Sequence, residues 1–216
     1  MPPPATAQVA RPPPVEASAP SASEPAPERP PPAEPAVVSS PCPDDPERDG
    51  RQQPDHVLQL VALSDGMTVV DLGSGSGYFL CRLSRAVGPR GRVIATEIEE
   101  RLVRDLGKRV ARERLSNVEV VRAPTDDVGI APATADRILL VNVWHHIANR
   151  RRYAERVAGA LKPGGKIVVV DFEKSGRRGH GISPERVIAE LAAGGITGAL
   201  VVEELAHQYV VIGTRD

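Results

Sequence analysis

Two carboxylates and three glycines stand at spacings that could hold a charged nucleoside ligand. Asp71-Leu72-Gly73-Ser74-Gly75-Ser76-Gly77 follows a short apolar run and leads into a helical pattern. The glycines remove side chains where backbone must turn tightly and come close to a ligand. A helix N-terminus behind such a loop favours an anion such as a pyrophosphate. Two details point elsewhere. The spacing is G-x-G-x-G, not G-x-G-x-x-G, and Asp71 stands two positions before the first glycine. A carboxylate there suits a ligand with a positive charge. Glu97 lies about 20 residues beyond the glycines, where a carboxylate can accept hydrogen bonds from two ribose hydroxyls. The plain structural alternative is a tight turn with a surface glutamate. The ordered succession of strand, Asp, glycines, helix, strand and Glu argues against it.

His145 and His146 follow the apolar run RILLVNV. A neutral imidazole titrates near working pH and is a natural general base. The structural alternative is that either ring caps the strand or packs beneath a loop. Trp144 beside them reads as core packing. Asp171 and Glu173 end another apolar run, where a solvated strand end is the simplest reading. His180 lies in the Gly/Arg-rich stretch SGRRGHGIS, which could serve as a lid, and His207 and Tyr209 suggest no role. Two adjacent histidines without a third ligand at suitable spacing make a poor metal site, so no metal is expected.

The elements that position these residues alternate. Apolar β-rich runs at 67–72, 92–96, 117–121, 137–143 and 166–171 are separated by helical patterns at 78–87, 99–115 and 150–161. A further helix opens at Pro54, and another at Ser183-Pro184, a cap residue followed by proline at the first helical position. Two final strands, 200–203 and 209–214, are joined by a link too short for a helical crossover and are expected to be antiparallel. The fold expected is α/β: a Rossmann-like, doubly wound, mostly parallel seven-stranded sheet with an antiparallel last strand. In such sheets a ligand sits beyond the carboxyl ends of the strands, where Asp71, Glu97 and His145-His146 all fall.

These residues resemble class I S-adenosylmethionine (AdoMet)-dependent methyltransferases. VVDLGSGSGYF is similar to their first motif and IATEIEE to their second, and VNVWHHI and LKPGGKIVVVDF resemble their strand-four and strand-five segments. The resemblance covers residues 50–216. It implies AdoMet as cofactor and methyl transfer to a small-molecule acceptor. Asp71 would contact the methionine ammonium, and Gly73, Ser74, Gly75 and Gly77 would form the loop around the methionine and ribose. Glu97 would bind the ribose hydroxyls with Ile98 against the adenine, and Asn142 would offer its backbone carbonyl to the amine. One departure stands out. Ala123-Pro124-Thr125 replaces the family's Gly-Asp-Ala, leaving Asp126, Asp127 or backbone packing to hold the adenine. DPERDGRQQPDHVLQLVAL resembles a bacterial group of small methyltransferases whose members often carry an export or lipoprotein leader.

Composition bounds the rest. Fifteen of the 22 prolines lie in residues 1–43, which hold no Phe, Tyr, Trp, Leu or Ile. That stretch cannot bury enough apolar surface to offset the entropy of ordering, so it reads as a disordered leader. Its removal is expected to leave binding and melting temperature intact. Residues 44–53 read as a polar linker and 54–216 as the folded domain. The net charge of −1 gives no reason to expect nucleic acid as a partner. Short basic groups such as Arg150-Arg151-Arg152 and Arg177-Arg178 read as solvated surface. No window is long and apolar enough to span a membrane. With no secretion signal the chain reads as cytoplasmic as written, and as exported or lipid-anchored if its start lies upstream. Cys42 and Cys81 suggest neither a disulfide framework nor a metal cluster. Oligomeric state is not encoded legibly.

Other functional classes stay open. QQPDHV followed by DLGSGSGY is similar to protein isoaspartate O-methyltransferases, although VNVWHHI does not fit them. A non-catalytic AdoMet-binding module would keep the same loop. An NAD-dependent oxidoreductase would need a different loop spacing and a catalytic Tyr–Lys pair.

Overall fold

The computed structural model describes residues 42–43, 45–172, 180–205 and 207–216. The expected alternation forms one seven-stranded sheet of order β3-β2-β1-β4-β5-β7-β6. The strands are β1 (Thr68–Leu72), β2 (Arg92–Glu97), β3 (Val118–Arg122), β4 (Ala135–Val141), β5 (Leu161–Asp171), β6 (Ile196–Glu204) and β7 (Tyr209–Arg215). The first five strands pair in parallel, and β7 runs antiparallel to both β5 and β6. The helices are α1 (Pro46–Gln52), α2 (Pro54–Val61), α3 (Leu80–Val87), α4 (Glu100–Arg112), α5 (Arg150–Ala160) and α6 (Pro184–Ala193). None of the described helices is long and apolar enough to cross a membrane.

The strands are apolar almost throughout because both faces of the sheet are covered. Successive side chains point to opposite faces, and the core divides accordingly. Val70, Ile94, Ile138, Leu140, Ile167 and Val169 pack with α5 and α6. Val69, Val93, Leu139, Val168 and Val170 pack with Val57 and Val61 of α2, Leu80 and Leu83 of α3, and Leu106 of α4. Each fully buried Leu or Ile stabilises the fold by about 1.5–3 kcal/mol relative to exposure. Helix α6 starts as its sequence requires: Ser183 Oγ accepts from the Arg186 N–H, and Pro184 takes the first helical position.

Three features differ from the sequence reading. Leu161–Gly165, expected to end a helix and turn, opens β5 instead, paired at Ala135↔Leu161 before a register shift. Residues 46–52, read as part of a polar linker, form α1. Its Asp45 caps the Arg48 N–H, and Pro46 sits in the first turn. Most consequentially, Cys42 and Cys81 form a disulfide, where the sequence suggested none. The pairing links a residue before α1 to the first turn of α3, a proximity that only the folded chain creates. Residues 1–41 of the expected leader (1–43), Glu173 and the Arg177-Arg178 pair lie outside the described residues.

Candidate functional site

The strand order reverses at β1, whose neighbours β2 and β4 lead away in opposite directions. A crevice opens at the carboxyl ends there. Its volume is about 570 Å³, and Asp71, Gly73, Glu97, Asn142 and His146 line it together with Arg48. Residues from both carboxylate motifs and from the strand-four segment thus converge on one cavity.

The glycine loop is fastened to β2. Gly73 and Ser74 N–H both donate to the Thr96 carbonyl at 3.0 Å. Gly73 has φ +74°, and a Cβ there would sit 2.7 Å from Val143 Cγ2. Glycine is therefore required both for its backbone angle and for the close approach of the β4 segment. Gly77 does not line the cavity; a Cβ on it would collide with Leu106 of α4, so its role is packing. Glu97 is aimed by backbone: its carboxylate accepts from Gly75 N–H at 3.0 Å and from Ile98 N–H at 2.8 Å. Ile98 itself is 52% exposed and lines the cavity, leaving an apolar face for a flat heterocycle.

Asp71 is almost fully buried. Burial pushes its carboxyl up to about 6, against the opposing pull of Ser74 and Arg48. A buried carboxylate held at this cost calls for a cation. An ammonium group at Asp71, ribose hydroxyls at Glu97 and an adenine on Ile98 would fit AdoMet. Asn142 adopts a left-handed backbone, φ +59°, which lifts it out of β4 into the cavity wall. Asp126 is exposed and does not line the cavity; Ala123 and Thr125 do.

The two histidines part company. His146 is exposed at the rim and lines the cavity. Desolvation there, with the neighbouring His145 ring, holds its imidazole below the ordinary histidine value. His145 faces inward. Its ring Nδ1–H donates to Asp171 Oδ1 at 2.7 Å, its side chain is 6% exposed, and its ring centroid lies 3.9 Å from that of His146. Asp171 is not a solvated strand end: it is fully buried and also accepts from the His145 and Phe172 N–H groups. Trp144 is buried as expected, with its indole N–H donating to Glu190. His180 is exposed and Tyr209 donates to the Ile182 carbonyl, so neither lines the cavity.

Sequence reasoning missed Arg48, Tyr78 and Phe79 in the cavity wall. Asp45-Pro46 was a readable helix start. Where that helix docks was not readable, because nothing local specifies it.

Residues 70–169 match the family described as a methyltransferase domain. The chain is 29% identical over 125 residues to the ubiquinone/menaquinone biosynthesis C-methyltransferase UbiE of Hydrogenovibrio crunogenus, covering 55% of this chain and 47% of that one. It spans about half the length of the curated relatives it matches. A SAM-dependent methyltransferase structure from Aquifex aeolicus superposes with TM-score 0.74 and 29% identity, over 80% of this chain and 95% of the other. The [4+2]-cyclase SpnF shares the fold alone, with TM-score 0.65 and 15% identity over 76% of this chain and 80% of that one.

Proposed function

We propose that the chain is a class I AdoMet-dependent methyltransferase and that it methylates a small acceptor at a carbon made nucleophilic by loss of a proton. The observation that carries the proposal is the convergence of Asp71, Glu97 and His146 on one cavity. When bound, AdoMet supplies a methyl group already activated by its sulfonium. The chain therefore has to hold, orient and deprotonate. Asp71 and Glu97 bind the two polar ends of the cofactor, and Ile98 and Thr125 flank the base. The His146 imidazole takes the proton that the acceptor must lose; a pKa below the ordinary value keeps it in the base form at neutral pH. Asp171 fixes the His145 ring, against which His146 packs. The carbon acceptor is suggested by the C-methyltransferase relatives.

The compartment belongs to the same reading. Disulfides persist in oxidising surroundings, so the Cys42–Cys81 bond favours the exported alternative over a permanently reducing cytoplasm.

Isothermal titration with AdoMet, S-adenosylhomocysteine and NAD is the first test. Binding of the first two and not of NAD is expected; NAD binding alone would mean the glycine loop was misassigned. A screen of small hydroxylated and activated-carbon acceptors follows. His146→Ala should lower kcat by about 10²–10⁴-fold with unchanged S-adenosylhomocysteine affinity. In the wild type kcat should fall as pH drops below the ordinary histidine range. A pH-independent kcat, or an unimpaired His146→Ala, would remove the base. Since a [4+2]-cyclase shares this fold, binding without turnover would leave a non-methylating AdoMet protein.

A further inference from the structure

Helix α1 lies outside the strand–helix alternation, yet it reaches the cofactor cavity. Arg48 lines that cavity, and among the described residues lining it Arg48 is the one Arg or Lys. Its guanidinium sits 4.0 Å from the centroid of the Tyr78 ring and donates to Ser76 Oγ at 3.0 Å, on the rim of the glycine loop. Its Nε donates to Gln52 Oε1 at 3.0 Å, which stiffens the side chain along its own helix. Asp49 ties α1 to the domain a second time, accepting from the Tyr78 hydroxyl and from Arg82 at 3.1 Å. Just before α1, Cys42 is bonded to Cys81 in α3. Tyr78, Cys81 and Arg82 therefore form one dock for α1, directly after the loop that would cradle the cofactor.

Seven residues make a marginal helix. Its polar contacts are partly exposed, so they hold it only weakly against solvent. The disulfide is the covalent element among these contacts. The charges of the cavity are also incomplete without α1. Asp71 and Glu97 answer the ammonium and ribose of AdoMet, while the methionine carboxylate needs a cation.

We propose that α1 is a disulfide-latched strap, closed over the cofactor site by Cys42–Cys81, whose Arg48 binds the carboxylate of the cofactor's methionine moiety, so that AdoMet affinity depends on the redox state of the pair. The proposal rests on the AdoMet reading given above. Opening the latch takes two electrons and two protons from a dithiol. A thiolate of the dithiol attacks one sulfur of the bond and releases the other as a thiol. The second thiol of the dithiol then displaces the mixed disulfide, leaving two cysteine thiols and an oxidised, cyclic dithiol. Cys81 is 2% exposed and Cys42 partly exposed, so attack comes at Cys42. The released strap no longer holds Arg48 against Ser76 and Tyr78.

The test uses the full chain in three forms: oxidised, reduced with excess dithiothreitol, and Cys42→Ser. Each is titrated with S-adenosylhomocysteine, and amide hydrogen exchange of residues 46–52 is followed without ligand. Reduction should weaken binding on the order of tenfold, within the usual range of coupling between two sites, and should raise exchange in α1. Cys42→Ser should match the reduced wild type and ignore dithiothreitol. Arg48→Met supplies the second variant. Oxidised wild type should prefer AdoMet to its decarboxylated analogue, and Arg48→Met should lose that preference. Equal affinity and equal exchange in oxidised and reduced protein would overturn the latch while leaving the cofactor site standing. A preference retained in Arg48→Met would overturn the carboxylate contact. Failure of the oxidised form to bind either nucleoside would overturn the AdoMet reading itself, and the strap with it. A reduced chain that is unfolded at the assay temperature would show the bond to be a staple of the fold, and would also overturn the switch.

Discussion

Asp71 shows how a residue proposed to bind a ligand can oppose the stability of its own domain. Its carboxyl is buried and pushed up to about 6, from an ordinary value of 3.8. With the folded value raised, the stability this group allows is fully present below the unfolded pKa of about 3.8 and is lost as pH rises through about 6. The loss comes to about 3 kcal/mol at neutral pH. Asp71→Asn should therefore stabilise the ligand-free domain at about pH 7.5 by roughly 1–3 kcal/mol, and by little near pH 4. The same variant should bind S-adenosylhomocysteine far more weakly. Melting curves at both pH values, with titration at the higher, check this. A variant that melts below wild type at the higher pH would mean that Asp71 has a stabilising partner at home. In the wild type, affinity should climb as pH rises through about 6, because the ammonium needs the carboxylate.

At the scale of elements, the part of the chain that looked least structured carries a covalent bond to the core. The disulfide closes a loop between positions 39 residues apart, which in the chain-entropy account stabilises the fold by about 3–4 kcal/mol. A chain beginning at residue 42 and one beginning at residue 44 should therefore differ sharply under oxidising conditions. The shorter one should melt lower by about that amount and bind S-adenosylhomocysteine more weakly. Calorimetry and titration of the two truncations decide it, and identical melting would show that the bond adds nothing. The expectation that residues 1–43 can be removed without effect is revised on this ground, since the cut takes Cys42 with it. The 3-10 turn Trp144–His146 makes the same point on a smaller scale. It rotates one histidine toward Asp171 and the other to the cavity, although the two are adjacent in sequence.

Across the whole molecule, the sheet separates stability from binding. Ile167 lies in β5, fully buried, and pairs with Ile138 of β4 and Gly213 of β7, none of which lines the cavity. Ile167→Ala should cost about 2–5 kcal/mol. Well below its melting point it should keep S-adenosylhomocysteine affinity within about twofold, since sites this separate behave additively. Denaturant unfolding and titration test the pair of claims, and a large loss of affinity in the folded variant would mean the crevice depends on core packing more finely than the geometry indicates. The binding loops hang from the carboxyl ends of β1, β2 and β4, whose register is set by cross-strand pairing rather than by the loops.

The alternation of apolar runs with helical patterns determined the sheet, because period and burial are properties of short windows. The sequence likewise determined that Asp71, Gly73, Glu97 and Ile98 line one cavity, because a strand's carboxyl end fixes where its next residues lie. It announced the Ser183-Pro184 helix start, which is local chemistry. Only the tertiary structure decided the rest. It paired Cys42 with Cys81, docked Arg48 beside the glycine loop, moved Asp126 out of the cavity and buried Asp171 against His145. Each of these joins residues far apart in the chain, or turns neighbouring side chains to different sides. No local window carries the orientation of one element against another; packing selects it once the elements exist.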